Sequence, residues 1–447
     1  MRTIKKIRVD KDTVVTGDLV KILVNKQDKL DHARFDKLNE YYKGKHDILD
    51  RTKDANKPNN KIVANYAKFI TDVMTGYFIG IPMTYESSEK EKLDRIFEVL
   101  DQNYEEDLNY QLAKESSIAG KSYELAYRNE DAELRFKKIP YKSVIPVYTD
   151  DIEENLLFVL RAYTKTNIVD GKKTEFVDVY TDERQITFKL TNGKYEEENR
   201  ELHLMGYIPV IEYQNNDECM GDFEVVLSEI DAYNKSQSDT ANDFEDFTDA
   251  FLALVGLGGT TSDDIKKAKE DKVLLLSEKG QAEWLVKQIN DAAVENYKNR
   301  LQNDIHRISQ TPDLTDEKFA GNVSGEAMKY KLWGLEQVAS IKERKFKTAL
   351  IKRLKIIAHF LNIKGQEFTY NNITLRFHRN IPQNVVEVVE TVANLGNEVS
   401  ERTKLSMLPM IDDVDAEIVR KREDEARKAQ SLQDTFNQTY INGHNQI

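Results

Sequence analysis

With 40% hydrophobic and 32% charged residues in 447, the chain can bury cores beneath a polar surface and is long enough for roughly two to four modules. Its net charge of −13 argues against a general nucleic-acid coat, which is normally basic, but not against a wall that surrounds nucleic acid without gripping it. Its lone cysteine, Cys219, excludes an internal disulfide and suits a reducing compartment, while neither the N-terminus nor the runs 66–83 and 251–257 read as a signal peptide or a membrane span.

The first 25 residues mix charges and β-branched residues without a clear period and stay unassigned. Helical spacing runs from Lys26 to Tyr42 and stops at Gly44. After a polar stretch from Asp54 to Asn60, helices are expected over 62–77, 89–100 and 107–119. Beyond Gly120 the pattern alternates. Three hairpins are predicted, joining Tyr123–Tyr127 to Leu134–Ile139, 156–164 to 175–180, and 185–190 to 194–197 across Asn192-Gly193. Residues 121–213 therefore read as a mainly antiparallel sheet module.

Helix returns over 221–251, where nine acids face one base, Lys235, between Asp222 and Asp249. Thirty helical residues would span roughly 45 Å. A small mixed module over 252–290 has expected strands at Lys272–Leu276 and Glu283–Gln288. Helix 291–310 carries a stripe of Val294, Tyr297, Leu301, Ile305 and Ile308. Pro312 ends it, and a polar loop leads to a very long helix with Ser324 as its N-cap and a bend expected at Gly334. Between Lys329 and Lys355 that helix holds nine bases and two acids, Glu336 and Glu343. Strand signals follow in 368–377, short helices at 384–395 and 400–408, a charged one at 415–428, and a polar tail that reads as disordered.

Local motifs offer no chemistry. Ala119-Gly-Lys-Ser-Tyr123 has Glu115 where a phosphate-binding loop needs glycine, so it reads as a helix stop. Gly256-Leu-Gly-Gly259 has Thr261 at the third glycine position of a dinucleotide fingerprint and reads as a turn. The histidines lack metal-ligand spacing, and no serine sits in a nucleophile elbow. No catalytic residue, metal site or cofactor is expected. The acids of 222–249 could supply paired carboxylates, but with acids on all sides of one helix a solvated or lumen-facing surface is the better reading.

Several phrases together resemble the portal protein family of tailed double-stranded DNA phages, in the version common among phages of Gram-positive bacteria. They are Tyr41-Tyr-Lys-Gly-Lys-His46, Pro58-Asn-Asn-Lys-Ile-Val-Ala-Asn65 and Thr75-Gly-Tyr-Phe-Ile-Gly-Ile-Pro82. Later come Gly206-Tyr-Ile-Pro-Val-Ile-Glu-Tyr213, Ile230-Asp-Ala-Tyr-Asn234, Ser238-Asp-Thr-Ala-Asn242 and Asn322-Val-Ser-Gly-Glu-Ala-Met-Lys-Tyr-Lys331. Each is weak alone; their order and spacing over 38–425 is specific.

The resemblance implies an α+β portal-type fold that assembles into a ring, generally of about twelve copies. After an N-terminal segment, 1–25, it implies a wing at 26–220 and 326–381 and stem helices at 221–251 and 291–310. The clip would be 252–290, the tunnel loop 311–325 and the crown 382–429, before the tail 430–447. The ring would be a non-enzymatic channel at one capsid vertex of the virion, assembled in the host cytoplasm, through which duplex DNA is packaged and ejected. Implied partners are the large terminase subunit, the head-completion adaptor, and the major capsid and scaffolding proteins, with no membrane.

Sliding DNA must not be held. Six to ten phosphate contacts by lysine or arginine would grip it, whereas a wall of acids repels the backbone. Asp239, Asp243, Glu245 and Asp246 are the expected tunnel-lining acids, although an ordinary acidic surface helix remains the alternative. In the loop, Lys318 beside Phe319 and Asn322 would touch phosphates transiently; alternatively Phe319 packs the loop onto a neighbour. The basic helix would pair with acidic surfaces of the adjacent subunit. A hydrolase built on the acidic helix would need clustered ligand residues, which are missing. A cytoplasmic scaffold or an adaptor fits less well than two long helices flanking a small module.

Overall fold

The computed structural model describes residues 6–26, 29–55, 57–247, 251–255, 261, 263, 266, 281–285, 291–313, 325–365, 368–381, 385–396, 398–408, 410–411 and 414–444. The chain divides into a first unit, Met1–Asp313 with Leu332–Asn380, and a second, Leu314–Lys331 with Ile381–Ile447.

The first unit opens with structure that has no clear signal in the sequence: strand β1 (Ile7–Val9) and helix α1 (Gly17–Lys26). The helix expected over Lys26–Tyr42 is α2, Lys29–Tyr42, while Lys26 itself ends α1. Helix α3 (Tyr66–Ile79) starts four residues later than predicted because Asn65 caps it, its side chain accepting from the Lys68 amide at 3.0 Å. Strand β2 (Ile81–Glu86), helix α4 (Lys90–Asp101) and helix α5 (Glu105–Ala119) follow.

The expected sheet module is present but divides in two. Strands β3 (Lys121–Arg128), β4 (Leu134–Ile139) and β10 (Val210–Gln214) form one sheet in the order β10-β3-β4. Strands β5 (Val144–Thr149), β6 (Leu156–Thr166), β7 (Lys173–Tyr180), β8 (Arg184–Thr191) and β9 (Lys194–Leu202) form the other with β1, in the order β1-β5-β6-β7-β8-β9. Only β1 runs parallel to its neighbour, β5. Asn192 and Gly193 both take positive φ, 50° and 78°, as the tightest hairpin turn demands. Val20 and Leu23 of α1 complete the core over Val147, Phe158, Leu160 and Val177.

Helix α6 spans Leu227–Phe247, shorter at both ends than the predicted 221–251. Residues 224–226 form a tighter turn before it. Phe251–Val255 is strand β11, a short apolar run that pairs antiparallel with β12 (Gln281–Leu285). β12 covers part of the predicted strand Glu283–Gln288. The other strand of that module, Lys272–Leu276, and the turn 256–259 lie outside the described residues. Helix α7 is Asp291–Ser309.

Helix α8 (Gly325–Lys331) belongs to the second unit and α9 (Trp333–Ile363) to the first. The break falls at Leu332 rather than at Gly334. Phe346, Leu350, Leu354, Ile357 and Leu361 recur at helical spacing along α9. They lie in a large core with Phe78, Ile96, Leu112, Phe136 and Tyr213. Strand β13 (Thr374–His378) pairs with β2. The second unit adds α10 (Val385–Asn394), α11 (Glu401–Ser406, capped by Ser400) and α12 (Val414–His444). Helix α12 runs through residues whose polar composition reads as disordered.

Two buried ion pairs fasten α9. Arg353, 1% exposed, grips Glu124 with Nε at 3.0 Å and Nη2 at 2.7 Å, and its Nη1 reaches Asn109 at 2.8 Å and Glu105 at 3.3 Å. Tyr213 donates to Glu124 and Tyr85 to Glu105, each at 2.7 Å. Lys342 meets Asp222 at 2.5 Å, and Asp222 also accepts from Ser117 and from Asn215. Such pairs persist in low dielectric only when hydrogen bonds satisfy the remaining lone pairs.

Candidate functional site

Helix α6 is the element with a candidate role, and its position is set by a ladder of neutral side chains. The segment 59–65, outside any helix or strand, lies beside it. The amides of Asn60, Ile62 and Ala64 donate to Asn242 Oδ1 at 2.7 Å, Ser238 Oγ at 2.9 Å and Asn234 Oδ1 at 2.8 Å. The match is geometric: two residues of extended chain rise about 6.6 Å and four of helix about 6 Å, so every second amide meets every fourth side chain. The three acceptors are 3%, 0% and 0% exposed respectively. The phrases quoted for the resemblance from 58–65, 230–234 and 238–242 are thus the two sides of one contact.

The phrase 41–46 closes the upper end of that ladder. His46 Nδ1 accepts from Asn234 Nδ2 at 2.8 Å, so its Nε2 is the donor to the Tyr41 carbonyl at 3.0 Å. Burial pulls this imidazole below its ordinary range, against the hydrogen bond to Tyr41 and the charges of Asp231 and Asp47. The Tyr41 ring stacks on His46 at 4.4 Å, and its hydroxyl donates to Asp231 at 2.7 Å. Burial and then that bond push the Tyr41 hydroxyl far above its usual range.

Many acids of the stretch are occupied within the chain. Asp222 holds Lys342. Glu224 takes two bonds of 2.6 Å from Arg34, and Asp231 takes Tyr41. Asp239, expected to line a tunnel, pairs with Arg51 at 2.7 Å and Lys53 at 3.7 Å, with 43% of its side chain exposed. Glu245 is exposed and accepts from Asn60 Nδ2 at 2.7 Å. Asp243 is half-buried on the same helix. Asp246 lies in α6, and its side chain is not described. Lys318, Phe319, Asn322 and the cap Ser324 lie outside the described residues. Arg34, Arg51 and Lys342 went unnoticed as partners because they sit far from α6 in sequence. The spacing 234, 238, 242 of small polar residues was the available signal.

Helix α7 packs against α6. Of its expected stripe only Ile305 is fully buried, with Leu38, Ile70 and Phe223; Tyr297 and Ile308 stay 50% and 43% exposed, as does Phe244 of α6 at 56%. The chain beyond α7 is pinned. Thr311 is buried, its amide bonds the His306 carbonyl at 3.1 Å, and its own carbonyl bonds His306 Nδ1 at 3.0 Å. Gln302 donates to Asp313 at 3.3 Å. Gly334 faces this root: a Cβ there would lie 3.3 Å from the Gln310 Cβ.

The phosphate-loop look-alike is a helix end. Gly120 closes α5 at φ +86° before β3, and a Cβ there would stand 1.7 Å from the Cys219 carbonyl oxygen. A phosphate loop runs the other way, from strand to helix. Burial pushes the Cys219 thiol up to about 11, away from nucleophile chemistry. Among the described residues, no three of His, Cys, Asp and Glu gather as metal ligands, and no helix is long and apolar enough to cross a membrane.

Comparison with known proteins gives a consistent answer. The family model described as "Phage portal protein, SPP1 Gp6-like" matches residues 23–431. The portal protein of Bacillus phage SPP1 is 26% identical over 390 residues, covering 83% of this chain and 77% of that protein. The portal protein of Clostridium phage phiCD119 is 24% identical over 428 residues, 89% of this chain and 94% of that one.

Proposed function

The chain belongs to the phage portal protein family, and on that premise we propose that it forms a ring at one capsid vertex through which double-stranded DNA is packaged and ejected. The match from α1 to α12 carries this reading. The role is structural rather than enzymatic, and phage portal proteins are virion components. In this reading the first unit supplies wing and stem, with α6 and α7 as the stem helices and β11–β12 at the clip. Residues 311–325 are the tunnel loop and the helices beyond 382 the crown.

The exposed Phe244, Tyr297 and Ile308 on α6 and α7 support a neighbouring copy against the stem, since stranded aromatic and aliphatic area favours burial. Exposed bases of α9, Arg344 and Lys352, are suited to acidic surfaces of that neighbour. The acidic wall is narrower than composition suggests, because 222, 224 and 231 are committed internally. Asp239, Asp243, Glu245 and Asp246 on α6 would repel phosphates, with Lys318, Phe319 and Asn322 on the loop touching the moving duplex. The clip docks the large terminase subunit and later the head-completion adaptor, and the wing rim meets capsid and scaffolding proteins.

A phage carrying a nonsense mutation in this reading frame should yield DNA-free capsids in a non-suppressing host. Full capsids would overturn the proposal. Lys318→Glu should shorten the packaged DNA on pulsed-field gels; unchanged length would remove Lys318 from the mechanism.

A further inference from the structure

The chain leaves the first unit after Asp313, re-enters at Leu332 and leaves again after Asn380. On the first unit's own surface these crossings lie together. Gln310, just before the first, abuts Gly334, just after the second. Glu336, in the opening turn of α9, receives Arg379 Nε at 2.9 Å and Nη2 at 3.1 Å, and Tyr77 Oη at 2.7 Å. Arg379 Nη2 also reaches Glu343 at 2.7 Å, and the Asn380 amide donates to the Tyr77 carbonyl at 3.2 Å. One guanidinium thus ties the start of α9 to the last residues before the third crossing.

We propose that Arg379 is a positioning residue that couples the break at Leu332 to the chain exit at Asn380, so that movement at one is passed to the other. Reading 311–325 as the tunnel loop gives this junction its purpose, because the first unit sends the chain out toward the loop, takes it back at Leu332 and releases it again toward the C-terminal helices within this one patch. The geometry gives the contact two carboxylates rather than one. Glu336 and Glu343 are seven residues apart, on one face of α9, and Arg379 bonds both. Its Nη1 is buried with no hydrogen-bond partner among the described residues, a donor left over for re-pairing. Unwinding α9 further at Leu332 would loosen Glu336 while the fork keeps its bond to Glu343, so the charge pair is not lost.

The test is hydrogen exchange on the full-length chain in its assembled state, comparing the native protein with Arg379→Gln, Arg379→Lys, Glu336→Gln and Glu343→Gln. In Arg379→Gln and Glu336→Gln, amides of 325–336 and 381–396 should exchange faster together, by about tenfold for a lost charge-assisted bond, while β6–β8 stay unchanged. Arg379→Lys should fall between, since an ammonium keeps the charge but not the fork. Faster exchange confined to 374–380 would overturn the coupling. Should Arg379→Gln loosen β6–β8 as well, the milder Glu343→Gln decides on the same two segments. Imaging the same samples separates this from the portal reading: coupled exchange without annular particles would sink that reading and leave the coupling standing.

Discussion

Helices α6 and α9 carry opposite charge and are anchored by opposite chemistry. The basic helix α9 drives two of its cations, Lys342 and Arg353, into the interior, where buried carboxylates and hydroxyls meet them. The acidic helix α6 is held in place by neutral groups, Asn234, Ser238 and Asn242. The sign of a helix in the sequence therefore says little about which of its charges reach solvent. Ion pairing in the core fixes α9, whereas backbone amides borrowed from the segment 59–65 fix α6.

Removing one partner breaks this contrast most sharply in α9. Arg353→Met strands Glu124 and Glu105 in the core and should cost about 3–5 kcal/mol, read as a fall in denaturant midpoint. A loss below about 1 kcal/mol would mean the pair is solvated. The ladder of α6 should give less. Ser238→Ala leaves the Ile62 amide without its acceptor, an expected loss of about 1–3 kcal/mol, with faster exchange at 59–65 as the local signature.

How far the sequence reaches follows from the same two mechanisms. The hairpins and most of helices α4 to α9 are legible because period and turn chemistry are local: Asn192-Gly193 announces its own turn. Helix α1 and strands β1 and β5 are not. The Val20 and Leu23 pair of α1 is too brief for a clear period, and the parallel β1–β5 pairing joins Ile7 to Val147, far apart in sequence. The candidate site was half legible. The acids of 222–249 stand out by composition, but their occupation by Arg34, Arg51 and Lys342 is a long-range fact. The family phrases located the ladder without showing that they touch.

Acidity should sharpen the comparison next. His46 has its imidazole held below the ordinary 6.5, so the folded state favours the neutral ring. Its contribution is complete above about 6.5 and is lost as pH falls from there toward the lower folded value. His46→Asn should flatten that part of the stability curve; His203, lowered in the same direction by burial, leaves a residual slope. An unchanged profile would show that His46 does not report on α6. The smallest effect belongs to Asp239→Asn, a half-exposed pair with Arg51, expected within about 1 kcal/mol in thermal melts and fading with salt. A larger loss would make α6 depend on charge as α9 does.

The central claim, that copies of this chain close around a DNA-sized channel, is met most directly by electron microscopy of the purified protein across a series of salt and magnesium concentrations. The account predicts annular particles with an open centre and α6 turned toward it. A single compact particle under every condition, even at high protein concentration, would contradict it.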